Sequence, residues 1–154
     1  KILRIFCLSI RYTLLSVQDM SGEWNGVLKQ EEGGAAESYY FQLNLIQKGE
    51  KITGTSKVTF VNKQQVYAVM KLKGTFKNDI LLLEEISIKD EKVYEGLYWC
   101  IKKGKLHFTF NQDGFCLEGT WSGSSSTDIL CVPGTIKMCK IVLKIVRSLQ
   151  NYSL

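Results

Sequence analysis

Tyr39-Tyr40-Phe41-Gln42-Leu43-Asn44-Leu45-Ile46-Gln47-Lys48-Gly49-Glu50-Lys51-Ile52-Thr53-Gly54-Thr55-Ser56 is the stretch that decides the fold. Tyr39, Phe41, Leu43 and Leu45 fall on one side of an extended chain, with Gln42 and Asn44 on the other. That period of two is what a half-buried β-strand requires. Lys48-Gly49-Glu50 then supplies residues that tolerate positive φ, and a second strand begins at Ile52. A turn this short forces the two strands to run antiparallel.

Outward from this hairpin the rhythm continues. Val66, Ala68, Met70, Leu72 and Phe76 share one face, with Lys71 and Lys73 opposite; Leu97, Trp99 and Ile101 alternate with Tyr98, Cys100 and Lys102; Leu106, Phe108 and Phe110 alternate with His107 and Thr109. Strands are predicted over 23–29, 39–47, 52–61, 66–76, 80–89, 97–102, 105–111, 115–121 and 135–142. Hairpin-length turns at Asn62-Lys63-Gln64, Lys77-Asn78-Asp79, Lys103-Gly104 and Gln112-Asp113-Gly114 join most of them, and longer connections span 30–38 and 122–134. An antiparallel sheet with one apolar face must hide that face, and sequential hairpins favour closure into an up-and-down barrel. The expected fold is therefore all-β, an antiparallel barrel of eight or nine strands over 19–142, followed by a short basic C-terminal tail over 143–154. Ile52-Thr53-Gly54-Thr55, Leu72-Lys73-Gly74-Thr75 and Leu117-Glu118-Gly119-Thr120 form a weak internal repeat, and a glycine inside a strand marks a bend, a bulge or close packing.

Composition agrees with one globular domain: 154 residues, 45% hydrophobic, 23% charged and a single proline. A chain of this length buries roughly 68–70% of its unfolded surface, so folding needs no metal or cofactor. The net charge of +5 lies in the two ends, since residues 19–136 hold 13 basic and 15 acidic side chains. A nucleic-acid-binding domain needs a basic folded face, so none is expected to bind here. No apolar run approaches the roughly 18 residues of a membrane helix. Residues 1–18 contain Lys1 and Arg4, then Ile5, Phe6, Leu8 and Ile10, then Leu14, Leu15, Ser16 and Val17, with Arg11 interrupting. Two readings stand for this segment, a signal peptide or a disordered arm. The first places the protein in the periplasm or outside the cell; the second leaves it cytoplasmic.

Catalytic patterns are scarce. The sequence contains no Gly-x-Ser-x-Gly, no phosphate loop, no Cys-x-x-Cys and only one histidine, His107, on the outward register. A metal or general-base role for it is not expected, and neither is an enzyme. Adjacent acids in a strand point to opposite faces, so either Glu84 or Glu85 faces inward, with two competing registers for 80–89. An inward acid needs a partner or a polar ligand.

Three functional classes follow: a small-molecule-binding barrel, a packed interaction or structural domain, and a hydrolase or isomerase built on an interior acid. The first is preferred, with an apolar or aromatic ligand walled by Trp24, Phe41, Met70, Trp99, Phe108 and Trp121 and an opening near the long loops. In the second, loops or the outer face bind an envelope protein or a glycan. If residues 1–18 are removed, Cys100, Cys116, Cys131 and Cys139 remain, with three connectivities. Cys100 and Cys116 are placed two strands apart, roughly 9–10 Å, beyond a disulfide's reach of about 7 Å. The pairing expected is Cys100–Cys131; in a cytosolic protein all five cysteines would be thiols.

Ser21-Gly22-Glu23-Trp24 is similar to the Gly-x-Trp signature that opens lipocalin barrels, where the tryptophan packs across a closed floor. The Gly-Thr strands and Gly119-Thr120-Trp121 resemble the rhythm of avidin-type barrels. Trp99-Cys100 with Cys131-Val132-Pro133-Gly134 is also similar to uncharacterised envelope domains of gliding Bacteroidetes-type bacteria. The resemblance spans about 21–140 and implies a calycin-type, eight-stranded ligand-binding barrel of the cell envelope. Biotin is not implied, because Asn25-Gly26-Val27-Leu28 departs from the Asn and Ser that follow the first tryptophan in avidins.

Overall fold

A computed structural model describes residues 18–112 and 114–140. The readings of residues 1–18 as a signal peptide or arm, and of 143–154 as a basic tail, lie outside the described residues apart from Gln18. The strands are β1 (Gly22–Gln30), β2 (Ser38–Lys48), β3 (Lys51–Phe60), β4 (Lys63–Lys77), β5 (Ile80–Lys92), β6 (Ile101–Asn111), β7 (Gly114–Ser124) and β8 (Gly134–Lys140). They form a closed barrel in sequence order, every neighbour antiparallel, with β8 returning to β1. The expected all-β, up-and-down barrel is the observed fold, with eight strands, and its architecture is compatible with the calycin type.

The connections 31–37, 61–62, 93–100 and 125–133 lie at one end, the mouth; 49–50, 78–79 and the β6–β7 turn lie at the other, the floor. The β4–β5 turn places Asn78 and Asp79 at φ of 50° and 60°, the paired positive values of a hairpin turn whose twist matches the flanking strands. The Gly-Thr repeat has a steric cause. A Cβ on Gly54, Gly74 or Gly119 would stand 2.0, 2.3 and 2.0 Å from the carbonyl oxygens of Asn44, Leu82 and Lys105 on neighbouring strands. Those strands approach so closely that no side chain fits between them.

One predicted element is corrected. Lys103-Gly104 is not a turn and 97–102 is not a separate strand; both residues lie inside β6, where Gly104 pairs with Leu83 on one side and Trp121 on the other. A Cβ there would meet Leu83 Cγ at 3.3 Å, so the glycine accommodates a side chain from across the ladder. Removing that turn shifts the faces by one residue. Lys102 points inward, and the expected order with Ile101 inside and Lys102 outside is reversed. Phe110, expected inside, is 65% exposed and rests its ring on Phe115 at 5.1 Å.

The core fills the floor and the waist. Met20, Trp24, Phe41, Leu43, Leu45, Met70, Leu72, Leu81 and Leu106 are buried, and Phe108 packs between Phe76 and Phe115 at 6.0 and 5.5 Å. Trp24 is sealed by its own surroundings: its Nε1–H donates to Met20 O at 2.9 Å and Lys140 Nζ lies 5.9 Å from its ring. The wall is not uniform. β5 and β6 pair only from Ile80 to Glu84, against His107 to Lys103, and above that the upper half of β5 pairs with β4 alone through two bulges.

Candidate functional site

Where β5 and β6 part, the chain buries a charge pair. Leu81, Leu83 and Glu85 take the inward register of β5, which decides between the two acids: Glu85 is 2% exposed, and Glu84 faces out. Glu85 Oε2 accepts from the Lys102 backbone N–H at 2.8 Å and from Lys102 Nζ at 2.9 Å, while the Ser56 hydroxyl donates to Oε1. Lys102 Nζ also donates to Cys100 O at 2.9 Å and lies 5.7 Å from the Phe41 ring. The carboxylate therefore substitutes for the ladder bond that the departing strands no longer make. Both side chains are almost wholly out of water, at 0% and 3% exposure, so each depends on the other for its charge to be tolerated. Outside the wall, Glu84 bridges Lys103 at 3.1 Å and Lys73 at 3.4 Å, and those two ammonium groups hold its carboxyl below the ordinary carboxylate range.

Lys102 lines a cavity of about 260 Å³ at the mouth. Its walls come from Leu28, Tyr39, Val58, Phe60, Trp99 and Trp121, and its rim from Gly33, Gly34, Leu97, Tyr98 and Leu130. Tyr39, Phe60 and Trp99 form an edge-to-face set with centroids 4.9, 5.6 and 6.5 Å apart. The polar tips are fixed around it. Tyr39 OH donates to Gln30 Oε1 at 2.6 Å, Gln30 Nε2 to Val132 O at 3.1 Å, and Trp121 Nε1 to Lys29 O at 2.9 Å. Burial pushes the Tyr39 phenol above its usual range. Trp99 is the exception: its Nε1–H is buried and has no hydrogen-bond partner among the described residues.

Cys100 and Cys131 are joined, with Cα atoms 6.2 Å apart, and the bond ties connection 93–100 to connection 125–133 beside the cavity. This is the pairing the sequence predicts. A second disulfide, Cys116–Cys139, spans directly opposed residues of β7 and β8 with Cα atoms 4.1 Å apart. No second bridge is expected from the sequence, although two cysteines on the outer register of successive antiparallel strands are the signal for one.

Of the six residues expected to wall a ligand, the structure brings Trp99 and Trp121 together at the cavity. Trp24, Met70, Phe108 and Phe41 belong to the buried core and do not line it; Phe41 lies behind the lining, its ring centre 5.7 Å from Lys102 Nζ. Tyr39 takes the inward register expected of it but, like Phe60, is not among the six residues expected to wall a ligand, and Lys102 lies on the face opposite to the expected one. The period of two read backward from Phe108 and Leu106 through Gly104 lands on Lys102, so the signal was present. His107 is exposed, and no group of three or more His, Cys, Asp or Glu capable of holding a metal occurs among the described residues.

No helix among the described residues is long and apolar enough to cross a membrane. No protein family matches the chain by sequence, and no curated protein is significantly similar to it.

Proposed function

We propose that the protein is a non-enzymatic binding barrel that takes a small apolar or aromatic ligand into the mouth cavity. The observation that carries this reading is the void itself, about 260 Å³ walled by Tyr39, Phe60, Trp99 and Trp121 above a core of buried apolar side chains. An apolar void of roughly 150 Å³ holds benzene and drug-sized ligands need about 300 Å³ or more, so the size suits a molecule of one or two rings. The Gly22-Glu23-Trp24 floor and the strand order support kinship with lipocalin- and avidin-type barrels. Two disulfides fit an oxidising compartment, and with the resemblance above they support the periplasm or the exterior of a bacterial cell.

Titrating oxidised protein with a panel of one- and two-ring compounds tests the reading, because two of the three tryptophans line the void and a bound ring should change their emission. Trp99→Ala should abolish the response. A panel that gives no change in emission and no heat of binding would turn the assignment to the second reading, an envelope domain that docks a protein or glycan. That reading is favoured by the exposed Tyr94, Leu97, Tyr98 and Leu130 on two mouth connections, Leu130 being 84% exposed.

A further inference from the structure

Six large hydrophobic side chains stand exposed on two connections of the mouth: Val93, Tyr94, Leu97 and Tyr98 on 93–100, and Ile129 and Leu130 on 125–133. The Cys100–Cys131 bond ties those connections together, and Val93, Leu97, Tyr98 and Leu130 all edge the same cavity opening, so the six belong to one surface. Exposed apolar residues on the wall are placed differently: Ile46 stands opposite Thr53, and Leu82 between Thr75 and Lys105. Scattered residues of that kind need no partner, whereas a cluster held ready by a disulfide has the character of an interface.

Charge selects what the cluster meets. Connections 31–37, 61–62, 93–100 and 125–133 contain Glu31, Glu32, Glu37, Glu95 and Asp128 and no lysine or arginine. All five acids are exposed, and none forms an ion pair among the described residues. Connection 31–37 abuts 125–133, where the Glu31 N–H donates to Pro133 O at 2.9 Å. The flanking cations, Lys63 and Lys92, sit on strand ends, and Lys63 Nζ lies 5.0 Å from the centre of the Tyr94 ring, so an aromatic of this surface already carries an ammonium group. An anionic lipid surface or an acidic glycan would meet unpaired carboxylates beside every apolar contact, and like charge opposes that approach. A segment bearing both cations and apolar side chains gains from both.

We propose that the mouth rim is a docking surface for a cationic, apolar segment of a protein partner, in which lysines or arginines accompany aliphatic or aromatic side chains. The apolar side chains rest on Leu97, Tyr98 and Leu130, and the cations face the carboxylates of the surrounding connections. The surface encircles the cavity and does not depend on what the cavity holds, so it goes beyond the ligand-binding reading.

Three labelled peptides of equal length test this by fluorescence anisotropy against the oxidised protein: one of leucine and lysine, one of leucine and glutamate, one of serine and lysine. The leucine–lysine peptide should bind at least roughly tenfold tighter than either of the others, and its affinity should fall as salt rises from about 0.05 to 0.5 M. Leu97→Ser with Leu130→Ser should weaken it about tenfold, and so should Glu31→Gln with Glu32→Gln and Glu37→Gln; all five positions are exposed, and an unchanged urea midpoint checks that the fold is kept. Leu82→Ser, on the wall, should leave binding unchanged. Failure of the leucine–lysine peptide to bind, equal or tighter binding of the leucine–glutamate peptide, or indifference to both sets of rim variants overturns the proposal. So does tighter binding to vesicles of mixed anionic and zwitterionic phospholipid, which would make the rim a membrane contact. A dimer in sedimentation that Leu130→Ser dissolves would assign the rim to a second copy of the chain and overturn it as well.

Discussion

The two ends of the barrel use the same residue types to opposite effect. At the floor, Trp24 is buried, its N–H bonded to Met20 O and its ring 5.9 Å from the Lys140 ammonium. At the mouth, Trp99 and Trp121 stand around a void, and the Trp99 N–H has no acceptor among the described residues. The floor is held by packing, by the Trp24–Met20 hydrogen bond and by the Cys116–Cys139 disulfide that ties β7 to β8 within the wall. The mouth is held by a disulfide across two connections and by an ion pair at the place where the ladder fails. A packed aromatic and a cavity-lining aromatic differ less in their own burial than in what stands on their far side.

The sharpest test of this contrast replaces one tryptophan at each end. Trp24→Ala should cost about 3–5 kcal/mol in urea unfolding, because the surrounding core cannot collapse into the space. Trp99→Ala should cost less and should remove ligand binding, since part of the Trp99 ring already faces a void. Equal costs at the two ends would erase the distinction.

Glu85→Ala comes next, with an expected loss of about 3 kcal/mol from leaving Lys102 buried without its partner. Joining it with Lys102→Met should restore most of that loss, as apolar replacements of buried pairs often do. Failure of the double variant to recover would mean that the carboxylate matters chiefly as the acceptor for Ser56 and the Lys102 backbone, and not as a counter-charge.

Cys100→Ser with Cys131→Ser should cost about 3.5 kcal/mol on loop-closure grounds. Its effect should be confined to the mouth: hydrogen exchange should quicken in 93–100 and 125–133 and stay unchanged around Trp24. Exchange that quickens throughout the barrel would show that the two ends are one cooperative unit.

The smallest effects are those of pH, and their signs differ by location. Glu84 is held below its ordinary range by Lys103 and Lys73, so its contribution is present above the usual carboxylate pKa and is lost as pH falls through the lowered value. The loss should be slight and should shrink further with salt, since the carboxylate is exposed. Tyr39 is raised by burial, so its contribution holds below the ordinary phenol range and disappears as pH rises through the raised value. Phenolate absorbance followed alongside ligand release should place the alkaline loosening at the mouth.

Much of this was legible in the sequence. Alternation in 39–45 and 66–76 put the right residues inside, and the hairpin turns set the strand order. The cavity was harder to read, for two physical reasons. Gly104 lies in the middle of a strand because Leu83 needs the room, and in the sequence a glycine beside lysines reads as a turn. A turn at Gly104 would put Lys102 in solvent, away from Glu85, whereas the continuous strand turns it inward onto that carboxylate. Packing is the second reason: whether an inward aromatic touches neighbours or a void depends on all eight strands at once, and the local pattern around Trp24 is no different from that around Trp121. The Cys100–Cys131 bond is the expected one, but the distance behind that expectation is corrected: Cys100 and Cys116 are not two strands apart, since Cys100 immediately precedes β6 at the mouth while Cys116 pairs with Thr109 on that same strand near the floor, and it is separation along the ladder that keeps them apart.

The two disulfides also interleave along the chain, since Cys116 lies within the span of Cys100–Cys131 and Cys139 lies beyond it. Any backbone cut between residues 117 and 130 therefore separates a piece carrying Cys100 and Cys116 from a piece carrying Cys131 and Cys139, and both bridges cross the cut. The serine-rich connection after β7, the kind of loop tip that proteases favour, is doubly insured. A nicked molecule would keep β8 moored to its neighbour, migrate as one species without reductant and fall into two fragments only once thiols were added.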